Sequence, residues 1–158
     1  NLITIFLKRN TMTSFAIDTN IFLYAHYSDY AEHKVVSSFL QDQIKQCRSF
    51  YLGWQVVYEY LRIVTHPLLL KKPISAKQGA EDMQVYIDDP RCVMLQETRD
   101  HLRTYFEIIR TIPHAQSSFV HDIHYATLLK EHAVDEILTC DTDFKKFDFL
   151  KVINPLVG

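Results

Sequence analysis

Apolar runs in this chain twice deliver carboxylates at their ends. Phe15, Ala16 and Ile17 lead into Asp18, and Ile137 and Leu138 lead through Thr139 and Cys140 to Asp141 and Asp143. Two further acids, Glu59 and Asp122, sit inside segments with helical apolar spacing. Unit charges about 4 Å apart repel by roughly 4 kcal/mol at an effective dielectric of about 20. Four acids held together cannot stay bare and ionised without large pKa shifts. A hard divalent cation removes the difficulty: Mg²⁺ takes oxygen ligands, keeps several waters and is completed by substrate phosphate. Such an ion can activate water and stabilise the leaving oxygen of a phosphodiester.

The elements that would position these acids alternate along the chain. Strands are predicted at 14–18, 49–53, 92–96 and 136–141, with a fifth at 150–154. Helices are predicted at 20–27, 31–46, 54–66, 75–88, 97–111 and 117–133, with Thr19 or Asn20 suited to cap the first and Pro113 stopping the fifth. "PLLLKKPIS" reads as a connecting loop. Strands alternating with helices imply an α/β fold with a mostly parallel sheet covered on both faces. Ligands of such folds bind beyond the carboxyl ends of the strands, where the strand order reverses. Asp18 and Asp141 fall at two such ends.

The helical acids carry competing readings. On the 54–66 helix, Trp54, Val57, Tyr58, Leu61 and Val64 share a broad apolar face that Val56, Tyr60 and Ile63 extend, with Trp54 read as a core anchor. Glu59 lies on the narrow polar stripe with Gln55, Arg62 and His66, so by itself it reads first as a solvent-facing residue. A salt bridge from Arg62 to an acid is the plain reading of that arginine. Asp122 is followed at helical spacing by Ala126, Leu129 and Ala133, so it projects from a buried stripe. It also lies in the first turn of its helix, where an acid is favourable without any chemistry; Ser117 and Ser118, as capping hydroxyls, weaken that alternative. His121 and His124 flank Asp122 but lie off its direction, no HExxH pattern occurs, and the eight histidines read as surface or core residues.

Composition closes several routes. With 47% apolar residues and 158 in all, the chain is the length of one packed domain. Three glycines cannot build a P-loop or a GxGxxG turn. Three scattered cysteines form no CxxC pair, which points to free thiols in a reducing cytoplasm rather than to zinc or a disulfide framework. A formal charge of −2 argues against a wholly basic coat but allows a local basic patch. No apolar run is long enough to span a bilayer, so no membrane association is expected. Residues 1–13 read as an N-terminal extension, with Met12 a candidate native start and residues 1–11 an upstream extension or expression remnant; the domain itself is expected to span 14–158.

Four stretches together carry a family likeness: "AIDTNIFLYA" at 16–25, "VYEYLRIVTHP" at 57–67, "HDIHYATLLKEH" at 121–132 and "ILTCDTDF" at 137–144. In this order the chain resembles the PIN-domain ribonucleases, most closely the VapC toxins of toxin–antitoxin pairs, including their longer group with "RIVTHP" and "PIS". The resemblance implies a three-layer α/β/α sandwich around a central, mostly parallel sheet. It implies an acidic catalytic site of Asp18, Glu59, Asp122 and Asp141, binding Mg²⁺ or Mn²⁺ through Asp18, Asp122 and Asp141. Asn20 and Thr139 match polar positions that steady the carboxylates, and Asp143 is a supporting acid. The implied activity is endonucleolytic cleavage of structured RNA, transfer or ribosomal, which inhibits translation. The implied partners are an antitoxin protein, operator DNA only through the antitoxin complex, and a second copy of the chain as a homodimer. The His121–Asp122–Ile123–His124 context departs from the small or apolar residues common there.

Other functions have weaker support. A phosphohydrolase with Asp18 as covalent nucleophile needs a second aspartate two positions on, where this chain has Asn20. A catalytically inactive PIN-type binding module would be expected to have lost at least one of the four acids. A housekeeping RNA-processing nuclease would share the site and differ only in its partners.

Overall fold

The computed structural model describes residues 13–112 and 114–157. The expected N-terminal extension, apart from Thr13, lies outside the described residues, as does Pro113. The elements run β1 (Ser14–Ile17), α1 (Thr19–His26), α2 (His33–Gln46), β2 (Ser49–Gly53), α3 (Trp54–Val64), α4 (Ala76–Ile87), β3 (Cys92–Leu95), α5 (His101–Thr111), α6 (Phe119–Glu131), β4 (Glu136–Leu138), a 3₁₀ turn (Thr142–Lys146) and β5 (Lys151–Ile153).

The five strands form one parallel sheet in the order β3-β2-β1-β4-β5. The chain leaves β1 for β2 and β3 on one side, then crosses back to β4 and β5 on the other. Right-handed crossovers therefore put α1–α4 on one face and α5 and α6 on the other. The result is a three-layer α/β/α fold. Phe15, Ala16 and Ile17 of the middle strand are fully buried, because helices cover both faces of β1. Gly79 lets α4 lie close on α3: a Cβ there would stand 2.9 Å from Leu61 Cδ2 and 3.0 Å from Val64 Cγ2.

Several local expectations are corrected. The strand predicted at 14–18 ends at Ile17, because Asp18 leaves the sheet and itself caps α1 in place of Thr19 or Asn20. Neither Ser117 nor Ser118 serves as expected: Ser118 stands at the start of α6 without a side-chain capping bond, and Ser117 takes a positive φ of 55°. Ala133 is exposed beyond the end of α6, so the buried stripe below Asp122 consists of Ala126 and Leu129. Helix α5 begins at His101 rather than 97, since the Thr98 amide donates to Glu131 of α6. Trp54 is not a core anchor. It is 47% exposed and Tyr58 67% exposed, while α3 buries Val56, Val57, Tyr60 and Val64. All three cysteines are free, Cys47 buried and the other two partly so. Among the described residues, no helix is long and apolar enough to cross a membrane.

Candidate metal centre

The acids meet at the carboxyl edge of the sheet, between β1 and β4, where the strand order reverses. The Asp18 amide donates to the Leu138 carbonyl at 3.0 Å, which ties the two strand tips together. Asp18 Oδ1 accepts from the Thr19 amide at 2.7 Å, and Oδ2 accepts from Asn20 Nδ2 and from the Thr139 hydroxyl, each at 2.7 Å. Thr139, fully buried, accepts in turn from the Asp141 amide at 2.9 Å and from Asn20 Nδ2 at 3.1 Å. Asn20 Oδ1 takes the Cys140 amide at 3.0 Å. Asn20 and Thr139 thus fix one rotamer of Asp18 and the path of the chain toward Asp141.

Asp141 caps the 3₁₀ turn by accepting from the Asp143 amide at 2.8 Å, and this turn brings Asp143 back toward the same cleft. Asp122 projects into it from the first turn of α6. Carboxylate oxygens of Asp122, Asp141 and Asp143 lie within 4.8 Å of one another. Glu59 approaches from α3, accepting from the Thr19 hydroxyl at 3.1 Å and standing 3.8 Å from Arg62. Asp143 also accepts from Lys146 at 2.6 Å, and the Lys146 ammonium sits 4.5 Å from the centre of the Phe119 ring.

Electrostatics follow from the crowding. Burial pushes Asp18 up to about 6, from 3.8, against the opposing bonds from Thr139 and Thr19, with Glu59 and Asp141 adding to the rise. Asp122 is pushed up to about 7 by burial first, and then by the negative charges of Asp18, Asp141, Asp143 and Glu59. The cluster holds protons or a cation in preference to bare charge. An oxygen-only donor set without cysteine or histidine suits a hard divalent ion. The donor chemistry thus fits Mg²⁺ or Mn²⁺.

Of the acids expected at the site, Asp122 and Asp141 lie in the tight group, Asp18 stands beside it with its oxygens taken up by Thr19, Asn20 and Thr139, and Glu59 lies at the solvent side. The structure also draws Asp143, expected only as a supporting acid, into the tight group. The alternation of aspartates at 141 and 143 was its one sequence signal. Thr19, which links Glu59 to the site, gave none. Among the described residues no histidine joins the tight acid group: His26 bridges the Tyr60 and Tyr86 hydroxyls at 2.7 Å each, and His124 contacts Glu97 at 3.1 Å.

A family model described as the PIN domain matches residues 15–150. The chain belongs to the PIN domain family. This PIN domain is 29% identical over 108 residues to ribonuclease VapC48 of Mycobacterium tuberculosis, a match covering 68% of the chain and 74% of that relative. Its fold is shared with VapBC2 of Rickettsia felis, solved bound to a DNA fragment from its promoter: TM-score 0.63, 15% identity, covering 90% of this chain and 98% of that one. It is shared also with VapC20 of Mycobacterium tuberculosis, described as a sarcin–ricin-loop-cleaving toxin: TM-score 0.62, 11% identity, covering 84% and 93%.

Proposed function

We propose that this PIN domain is a divalent-cation-dependent endoribonuclease, the toxin of a toxin–antitoxin pair, which cuts structured transfer or ribosomal RNA and so inhibits translation. The observation that carries the reading is the meeting of Asp18, Asp122, Asp141 and Asp143 at the sheet's switch point, from elements far apart in sequence. Asp122, Asp141 and Asp143, with Asp18 beside them, would hold Mg²⁺ or Mn²⁺. The bound ion would supply Lewis acidity toward a phosphodiester and toward water. Asn20 and Thr139 hold Asp18 against rotation, and this preorganisation spares the site a rearrangement when substrate arrives. Glu59, half exposed at the mouth of the site, is placed to order water and to accept a proton.

The relatives support this reading. VapC48 is named a ribonuclease and VapC20 a toxin that cleaves an RNA loop, and VapBC2 was solved on promoter DNA. By that analogy the partners are an antitoxin protein, a second copy of the chain, and operator DNA reached through the antitoxin complex. The test is cleavage of total RNA by the purified chain, with Mg²⁺ and with EDTA, beside Asp18→Ala and Asp122→Ala. Discrete fragments that need both the cation and the two aspartates support the reading. Cleavage unaffected by either variant overturns it.

A further inference from the structure

Helix α3 leaves the carboxyl edge of the sheet directly after Gly53, so its first turns border the acidic site. Its outward stripe is unusual in composition. Trp54, Tyr58 and Arg62 follow one another at i, i+4 and i+8, spaced to share one side of the helix. Their side chains are open to solvent: Trp54 and Tyr58 as described above, and Arg62 by 62%. The two rings lie 6.3 Å apart between centroids and are tilted by 44°. They therefore present two separate faces rather than covering each other. Glu59, next to Tyr58 and 3.8 Å from Arg62, is the acid that accepts from the Thr19 hydroxyl beside Asp18, so the stripe is joined to the candidate centre through Glu59.

We infer that Trp54 and Tyr58 form a stacking platform for unpaired bases of the RNA, with Arg62 taking the adjoining phosphate. This rests on the ribonuclease reading for the identity of its ligand. Every base has a π-face, so exposed aromatic rings beside a cation suit single-stranded or looped RNA and reject bases locked inside a duplex. Aromatic residues and arginine also favour protein interfaces; what points to RNA is the place of the stripe beside the candidate centre, to which Glu59 is joined through Thr19. Here the aromatic pair is flanked by Arg62 and Glu59. The platform would thus select flexible loops near the scissile phosphate rather than a particular sequence.

Trp54 is the only tryptophan of the chain, so its fluorescence reports this stripe alone. The experiment titrates the Asp122→Asn protein, which should not cut RNA, with three probes of equal length: a single-stranded oligoribonucleotide, the same strand with abasic residues, and a full duplex. The unpaired strand should quench Trp54, and the other two should not. Tyr58→Ala should weaken that binding about ten-fold, the scale of losing one stacked base; Tyr58→Phe should retain it. In cleavage assays of the otherwise native protein, Trp54→Ala should raise KM about ten-fold with kcat nearly unchanged, and Trp54→Phe should restore it. Equal quenching by the abasic strand would overturn the platform, since backbone charge would suffice. Emission that changes on dilution and ignores RNA would overturn it in favour of a second copy covering the face. If the native chain cuts RNA while Trp54 is silent and KM is unmoved, the platform fails and the ribonuclease reading stands. If Trp54 is quenched by unpaired RNA but nothing is cut, the reverse holds.

Discussion

The Thr139 hydroxyl donates to Asp18 Oδ2 at 2.7 Å, joining the tips of β4 and β1 across 121 residues of sequence. The same oxygen accepts from the Asp141 amide and from Asn20, so one buried hydroxyl organises three groups of the site. Thr139→Val keeps the shape and removes all three bonds. A buried polar group left unpaired costs about 1–3 kcal/mol, and a chain of this size loses about 2–4 °C of melting temperature per kcal/mol. The variant should therefore melt several degrees lower and bind Mn²⁺ more weakly, measured by thermal denaturation and by calorimetry. An unchanged melting temperature would show that Thr139 does not hold the site together.

Asp122→Asn should act in the opposite direction on stability. It removes one charge from a mutually repelling group while keeping the shape. In EDTA it should melt above the wild type. It should gain little from added Mg²⁺, whereas the wild type should gain a few degrees, since a ligand at about 100 times its dissociation constant adds about 2.7 kcal/mol. An acid that merely favours a helix start would give the reverse order, because its loss destabilises. Melting curves of both proteins with and without Mg²⁺ decide between the two.

Stability without cation should fall as the solution becomes more alkaline. Asp18 at about 6 and Asp122 at about 7 both stand above their ordinary 3.8. Between those limits the folded protein retains protons that the unfolded chain has already released, so raising the pH through them favours unfolding. In EDTA the melting temperature should drop between about pH 4 and pH 7, and Asp122→Asn should flatten that slope. Saturating Mg²⁺ should also reduce it, because the ion replaces the protons. A wild-type curve that is flat or rising over this window in EDTA would contradict the raised values.

Cleavage products should carry 5′-phosphate and 3′-hydroxyl ends, and EDTA should abolish their formation. No histidine joins the acid group of the described residues, and His124 is engaged with Glu97. His121→Ala and His124→Ala should weaken activity only modestly. End-sequencing of the fragments checks this, and a 2′,3′-cyclic phosphate would exclude it.

Expressed alone in a bacterial host, the chain should arrest growth and translation. Asp18→Ala, Glu59→Ala and Asp122→Ala should each relieve the arrest at equal protein level. Full toxicity of Asp122→Ala, measured by growth and amino-acid incorporation, would remove that residue from the site.

The sequence by itself was sufficient for the alternation of strands and helices. Periodicity is a local property, and β2 falls on the predicted residues 49–53. It also placed Asp18 at a strand tip, because a strand buried on both faces must be apolar until it leaves the sheet. The strand expected at 136–141 stops at Leu138, so Asp141 follows it by three residues and caps the 3₁₀ turn instead. On α3, by contrast, the apolar residues cover too wide an arc for a helical wheel to choose among them. Only docking against the sheet selected Val56, Val57, Tyr60 and Val64 for burial and left Trp54 and Tyr58 outside. The capping of α1 by Asp18, the return of Asp143 on the 3₁₀ turn and the bond from Thr19 to Glu59 were likewise decided in three dimensions. Each depends on where elements distant in sequence come to rest, and a carboxylate's burial and charge state are set by those neighbours rather than by the residues on either side of it.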